Sequence, residues 1–176
     1  DLSTADGREV LMTLVESADV FLTSFLPQVR RRLGIDVDDI RARNPDIVVA
    51  RGSGTGPQGP DTERGGYDAA AFWARGGVGV SMPDRDGWPP AQPTPAFGDV
   101  MGGLTTAGAI AAALLKRERT GETSVVDVSL LGTAMWSMQM SIVGASMMMA
   151  MAAQGGAPAV PASVLANPLV NTYRTA

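Results

Sequence analysis

Cysteine and histidine are both absent from this 176-residue chain. Without cysteine there are no disulfides and no thiolate metal sites, which fits a reducing compartment, and a cytoplasmic location is expected. Without histidine there is no imidazole base, no Ser-His or Cys-His nucleophile pair and no histidine metal ligand. No bound metal is expected. Acid–base or nucleophilic chemistry must rest on Asp, Glu, Lys, Tyr, Ser or Thr. Charge is also sparse, at 18% of residues with a net charge of -4, which argues against a nucleic-acid-binding surface. What remains is 45% apolar, enough for a folded core. The chain starts Asp1-Leu2-Ser3 with no basic leader and stops at Tyr173-Arg174-Thr175-Ala176. Both ends read as cuts through a longer chain.

Apolar spacing predicts a helix capped by Thr4 or Asp6 and running to about Ser17, with Val10, Leu11, Leu14 and Val15 on its apolar face. Residues 19–25 have strand length. Pro27 opens a helical turn carrying Arg30, Arg31 and Arg32, which Gly34 ends. Asp36 caps a short helix to Arg43, Asn44-Pro45 breaks it, and Ile47 to Ala50 reads as a buried strand. Helix and strand alternating at this spacing predict an α/β fold with a parallel sheet. Residues 52–66 are a glycine- and proline-rich loop, Tyr67 to Arg75 a helix, and residues 78–98 a second long loop. A long apolar helix follows, from about Leu104 to Arg119 and begun near Asp99. Val125 to Val128 is a strand. Residues 129–153 read as one buried methionine-rich helix, at a core or subunit interface rather than in a membrane, because serines, a threonine and a glutamine interrupt it. The domain expectation is 1–154 as one α/β domain, with 155–176 as an exit segment.

Few local patterns carry chemistry alone. In Gly98-Asp99-Val100-Met101-Gly102-Gly103 an aspartate stands where a loop meets a helix. It is either an N-cap or an ionised carboxylate held by the helix N-terminus, with the glycines allowing a ligand close to the backbone. On local sequence the cap is the better reading. Arg30 to Arg32 is either a phosphate clamp or a solvated helix face. The loop from Gly52 to Pro57 fits neither the P-loop nor the dinucleotide fingerprint, and reads as turn chemistry. Met147, Met148, Met149 and Met151 lack Cys or His partners and read as packing. Tyr67 alone reads as a half-buried core tyrosine.

Taken in order, the segments resemble family III CoA-transferases, the group that also contains α-methylacyl-CoA racemase. Ala18-Asp19-Val20 to Phe25-Leu26-Pro27 resembles the family's "ADV-x-x-x-N-F-x-P-G" segment, and Arg32-Leu33-Gly34 its "R-L-G". Asn44 to Val48 resembles its "NP-x-L/I-V/I" strand entry. Ser53 to Pro60 resembles its "S-G-F-G-x-x-G-P" loop, and Gly66-Tyr67-Asp68 its "GYD". Gly98-Asp99 resembles its catalytic aspartate segment. Arg119-Thr120-Gly121 with Val126 to Leu130 resembles "T-G-x-G-Q-x-V-D-V-S-L", and Asn167-Pro168 with Tyr173-Arg174-Thr175 the start of its next segment. The resemblance implies a Rossmann-like large domain, incomplete in this chain, and a homodimer of interlocked chains. It implies Asp99 as the nucleophile, Ser24, Phe25 and Arg32 as contacts to coenzyme A, and Tyr67 in the acyl pocket. Departures are Ser24 for the usual Asn, Leu26 and Gln28 in place of the usual small or basic residues, and Ser124 near the usual Gln.

The activity implied is transfer of CoA from an acyl-CoA to a carboxylic acid through a covalent aspartyl intermediate, which needs neither metal nor imidazole. Two alternatives stand beside it. One is 2-methylacyl-CoA racemisation, where the family's histidine falls at Tyr67, a poor proton acceptor at neutral pH. The other is a non-catalytic, dimerising scaffold.

Overall fold

The computed structural model describes residues 1–81 and 94–156. The chain divides into two compact units, Asp1–Met138 and Gln139–Ala176. The first unit is α/β. Its order is α1 (Ala5–Glu16), β1 (Val20–Thr23), α2 (Pro27–Leu33), α3 (Val37–Arg43), β2 (Val48–Ser53), a π-helical segment (Ala69–Arg75), a 3-10 turn (Val78–Ser81), α4 (Phe97–Thr120), β3 (Val125–Ser129) and α5 (Leu130–Ser137). The second unit begins with α6 (Gln139–Ala153). The exit segment expected over 155–176 lies, from residue 157 on, outside the described residues, as does 82–93 of the second long loop.

The three strands form a parallel sheet in the order β1-β2-β3. Central β2 is covered on both faces, so its sequence reads as an unbroken apolar run. Side chains alternate across the strand. Ile47 and Val49 join Val15, Ile35 and Ile40 in a core under α1 and α3, while Val48 and Ala50 meet Ala113 and Val126 under α4. The register sets Arg51 opposite Asp127, and the guanidinium meets that carboxylate with two bonds, Nε to Oδ1 at 2.7 Å and a terminal nitrogen to Oδ2 at 2.6 Å.

Helix ends follow the local chemistry. Thr4 Oγ1 accepts from the Gly7 N–H and starts α1. Gly34, at φ 65, ends α2 in the left-handed conformation. Asp36 and Asp39 form a capping box on α3. Asn44 Nδ2 donates to the carbonyls of Val15 and Ala18, tying the α3 exit to the end of α1.

Several expectations are corrected. On α1 only Val15 is buried; Val10 and Leu14 are each 64% exposed, because α3 covers a narrower stripe than the spacing allows. The 129–153 stretch is two helices broken at Met138, and α6 has no buried residue within this chain. α4 starts at Phe97, earlier than its apolar spacing indicates. Among the described residues it is the one helix long and apolar enough to cross a membrane, and Ala109, Ile110, Ala113 and Leu114 lay it against the sheet.

The Arg30–Asp36 contact makes an acid-sensitive joint. Burial works against the Asp36 charge, but the Arg30 hydrogen bond, the Val37 N–H and the charges of Arg30 and Arg51 outweigh it, and the carboxyl sits below its ordinary value of 3.8. A lowered folded-state value means that this stability is present above 3.8 and is lost as pH falls below it. Asp36→Asn is therefore expected to destabilise the protein at neutral pH and to flatten its acid limb. Unfolding midpoints measured from neutral to strongly acidic pH check this; parallel wild-type and variant curves would contradict it.

Candidate active site

The carboxyl ends of all three strands open into one cleft of about 710 Å3. This is where an open parallel sheet offers a crevice for ligands. Ser24, Phe25 and Leu26 leave β1 along one side, and Gly52, Ser53 and Gly54 leave β2 beneath. Val128 and Leu130 come from the β3–α5 corner. Gly65, Gly66 and Tyr67 form a rim, and α4 supplies Asp99, Gly102, Gly103 and Thr106. Asp99 is the one charged side chain among these lining residues.

The α4 wall depends on an unusual start. Ala96 precedes it at φ 59, in the left-handed region that costs a residue with a Cβ about 1–3 kcal/mol and gathers at functional sites. Alanine has no side chain to cap the helix. Asp99 does not cap it either, since it lies within the first turn and makes no hydrogen bond among the described residues; the N-cap reading is thus corrected. The cap comes from elsewhere. Asp68 Oδ1, 30 residues back, accepts from the Gly98 N–H at 3.1 Å. A Cβ on Gly98 would collide with Asp68 Oδ1 and the Phe72 ring, so glycine is required for this approach. Phe72, Trp73 and Phe97 pack edge-on with ring centroids 5.8 to 6.2 Å apart, and Ala134, Met101 and Leu130 close around Phe72 and Trp73.

Burial raises the Asp68 carboxyl above the ordinary carboxylate range, and the negative charge of Asp99 raises it further; the Gly98 N–H and the nearby Trp73 indole oppose this. Asp68 Oδ2 and Trp73 Nε1 are both buried without a hydrogen bond, so their proximity falls short of bonding geometry.

The rim is held from two sides. Gly54 and Gly66 cross back to back, and a Cβ on Gly54 would lie 2.6 Å from Gly66 Cα. Glu63 reaches from the 52–66 loop to α2, where Oε2 accepts from the Gln28 N–H at 3.0 Å and Oε1 pairs with Arg31 at 2.7 Å. Those two donors, Arg31 first, hold the Glu63 carboxyl below its ordinary range.

Of the residues singled out from sequence, Ser24, Phe25, Tyr67 and Asp99 meet in the cleft. Tyr67 is 88% exposed, so the half-buried core reading is corrected: the chain turns into the π-helical segment there and leaves the ring on the rim. Arg32 is exposed, outside the lining, and makes no ion pair among the described residues. The arginine run is not one solvated face. Arg30 is buried, donating to the Phe25 carbonyl at 2.7 Å and to Asp36 Oδ1 at 3.0 Å. The sequence reading did not single out Asp68, Thr106 or Leu130. Thr106 stands one helical turn beyond Gly102 and could have been found by that spacing. Asp68 and Leu130 stand in the quoted motifs, but their places at the site come from tertiary packing, which those motifs do not convey.

A parallel-sheet protein with a carboxylate at the first turn of a helix over the strand ends is thus defined. Residues 1–176 match CoA-transferase family III over their whole length, and the chain belongs to that family. It is 36% identical over 138 residues to (R)-2-hydroxy-4-methylpentanoate CoA-transferase of Clostridioides difficile, covering 78% of this chain and 34% of that protein. It is 32% identical over 142 residues to cinnamoyl-CoA:phenyllactate CoA-transferase of Clostridium sporogenes, covering 81% and 34%. The crystal structure of a hypothetical protein of Mycobacterium tuberculosis, Rv3272, superposes with a TM-score of 0.75 at 34% identity, over 81% of this chain and 40% of that one. The chain spans about a third of the length of these two curated relatives.

Proposed function

We propose that the cleft transfers CoA from an acyl-CoA to a carboxylic acid, with Asp99 as the covalent carrier. The observation that carries the reading is that Asp99 is the one charged side chain among the described residues lining a cleft in a family III chain. An Asp99 carboxylate oxygen attacks the thioester carbonyl, the C–S bond breaks, and CoA leaves as thiolate from a mixed anhydride. The thiolate then attacks the Asp99 carbonyl, expelling the donor carboxylate and leaving an aspartyl-CoA thioester. An acceptor carboxylate attacks that thioester, and the freed thiolate takes the acceptor acyl group from the new anhydride, returning Asp99 as carboxylate. Each step exchanges one oxygen or sulfur nucleophile for another, so no metal or imidazole enters. Asp99 stands in the first turn of α4, where backbone N–H groups can stabilise the oxyanion of the tetrahedral intermediate.

Gly102 and Gly103 leave the wall next to Asp99 bare, and a Cβ on Gly103 would meet nothing within 4 Å, so a thioester can approach α4 closely. Ser24 and Phe25 on the facing side are assigned to the CoA chain, Tyr67 to the acyl group, and Arg32, exposed on the surface beyond, to a CoA phosphate. A homodimer belongs to the reading: a second copy would cover apolar residues left in solvent, Leu104 and Trp136 among them. Racemisation is the weaker reading because Tyr67 stands on the rim where that reading calls for a histidine.

Incubating the longest natural chain containing this segment with a series of acyl-CoAs and free carboxylic acids tests the reading. New acyl-CoA species in the mass spectrum, formed only with protein and both substrates, are expected. Exchange of the 2-proton in deuterated water without any transfer would replace the reading with racemisation. Neither product would leave a scaffold.

A further inference from the structure

The most unusual group near the site is one the proposed transfer does not use. Asp68 is 7% exposed. It lies at the start of the π-helical segment and does not cap it. Its carboxyl turns instead to the Gly98 N–H, one residue before Asp99. Of its two oxygens, Oδ1 has that single donor and Oδ2 is buried with none. A buried carboxylate needs several donors or a cation to repay its lost hydration. Among the described residues no cation pairs with Asp68. The ring of Phe72, in its own segment, meets it at Gly98, and Phe72 belongs to an apolar cluster with Trp73, Met101, Ala134 and Leu130. Arg75, the basic residue of that segment, is paired with Asp61. Among the described residues Asp99 is the one ionised group acting on Asp68, and it carries the same sign.

We propose that Asp68 and Asp99 work as an unequal carboxyl pair, Asp68 being a positioning residue that stays protonated, caps α4 through Gly98 and leaves the negative charge on Asp99. Asp99 is exposed at the cleft, whereas Asp68 is buried. Two carboxyl groups in unlike environments divide their roles in this way. The pair also gives Asp99 a neighbour that does not compete for its place at the first turn. This inference rests on the assignment of Asp99 as nucleophile only in its kinetic consequence; the protonation of Asp68 is independent of it.

The stability sign follows from the raised value. Stability from Asp68 is fully present below its ordinary 3.8 and is lost as pH rises through the higher folded-state value. Asp68→Asn removes the titration while keeping an acceptor oxygen for Gly98. Its unfolding midpoint should therefore gain on wild type as pH rises.

Infrared spectra of the ligand-free protein test the pair directly. At neutral pH the wild type should show a protonated-carboxyl C=O band that Asp68→Asn removes, and Asp99→Asn should move the titration of that band to lower pH. Absence of the band at neutral pH, or its indifference to Asp99→Asn, would overturn the inference whether or not CoA is transferred. For kinetics the probe is butyryl-CoA, with covalent mass added to the protein as readout. Asp68→Ala should slow adduct formation by about a hundredfold through misplacement of Asp99. Asp68→Asn should recover at least about tenfold of that loss, since it keeps the uncharged acceptor. An asparagine variant as slow as the alanine one would show that the ionised form is needed, and would overturn the proposal. A wild type that forms no adduct, yet shows the band, would sink the transferase assignment alone.

Discussion

Replacing Asp99 by Asn is expected to lower CoA transfer by at least about a thousandfold, because the amide removes the nucleophilic oxygen on which every covalent step depends. Size and shape barely change, and Asp99 makes no hydrogen bond among the described residues. Folding and CoA binding should therefore survive, so the loss should fall on turnover and not on substrate affinity. Asp99→Glu separates geometry from chemistry. It keeps the carboxylate but moves it by one methylene, and a displacement near 1 Å at a reacting group costs about a hundredfold. Steady-state rates with saturating donor and acceptor check both variants. An Asn variant within about tenfold of wild type would place the covalent carrier elsewhere.

Arg30→Ala carries the largest expected cost in stability, about 3 kcal/mol, as breaking a buried ion pair leaves a partner without its counter-charge. The Arg30 side chain is 8% exposed and that of Asp36 28%. The guanidinium serves two partners at once, the Phe25 carbonyl at the cleft side and the Asp36 cap of α3. Its removal should loosen α2 and α3 locally and move Phe25. Amide exchange at Ile35 and Ile40 should speed up by about a hundredfold, the factor that corresponds to that free energy. Lysine at this position supplies charge without the fork that reaches both oxygens, and should recover only part of the loss. Unchanged exchange in Arg30→Ala would show that the pair contributes nothing there.

These two residues mark what the sequence could and could not convey. The place of Asp99 at the start of a helix beside the cleft was legible from an aspartate after glycine, two glycines in the next turn, and a collinear series of motifs either side. The strands at 20–23, 48–53 and 125–129 and the caps at Thr4, Gly34 and Asp36 were legible because each rests on local chemistry. Arg30 was not. Three consecutive arginines differ only in which way the helix turns them, and Arg30 points inward because Asp36 and the Phe25 carbonyl lie there. Asp68 was hidden for the same reason, since its partner Gly98 is 30 residues away. The break at Met138 was missed because neither Gly nor Pro marks it. Val10 and Leu14 were placed on the apolar face because their spacing is right; burial needs a neighbour as well, and of that face only Val15 is buried.

The central claim is that Asp99 carries the acyl group or CoA covalently. Its most direct test is intact mass after incubation of the longest natural chain with acyl-CoA, followed by peptide mapping and hydroxylamine treatment. The account predicts a mass gain of one acyl or CoA unit, mapped to Asp99, released by hydroxylamine and absent from Asp99→Ala. A hydroxylamine-sensitive adduct on any other residue, or CoA transfer that proceeds in Asp99→Ala, would contradict it.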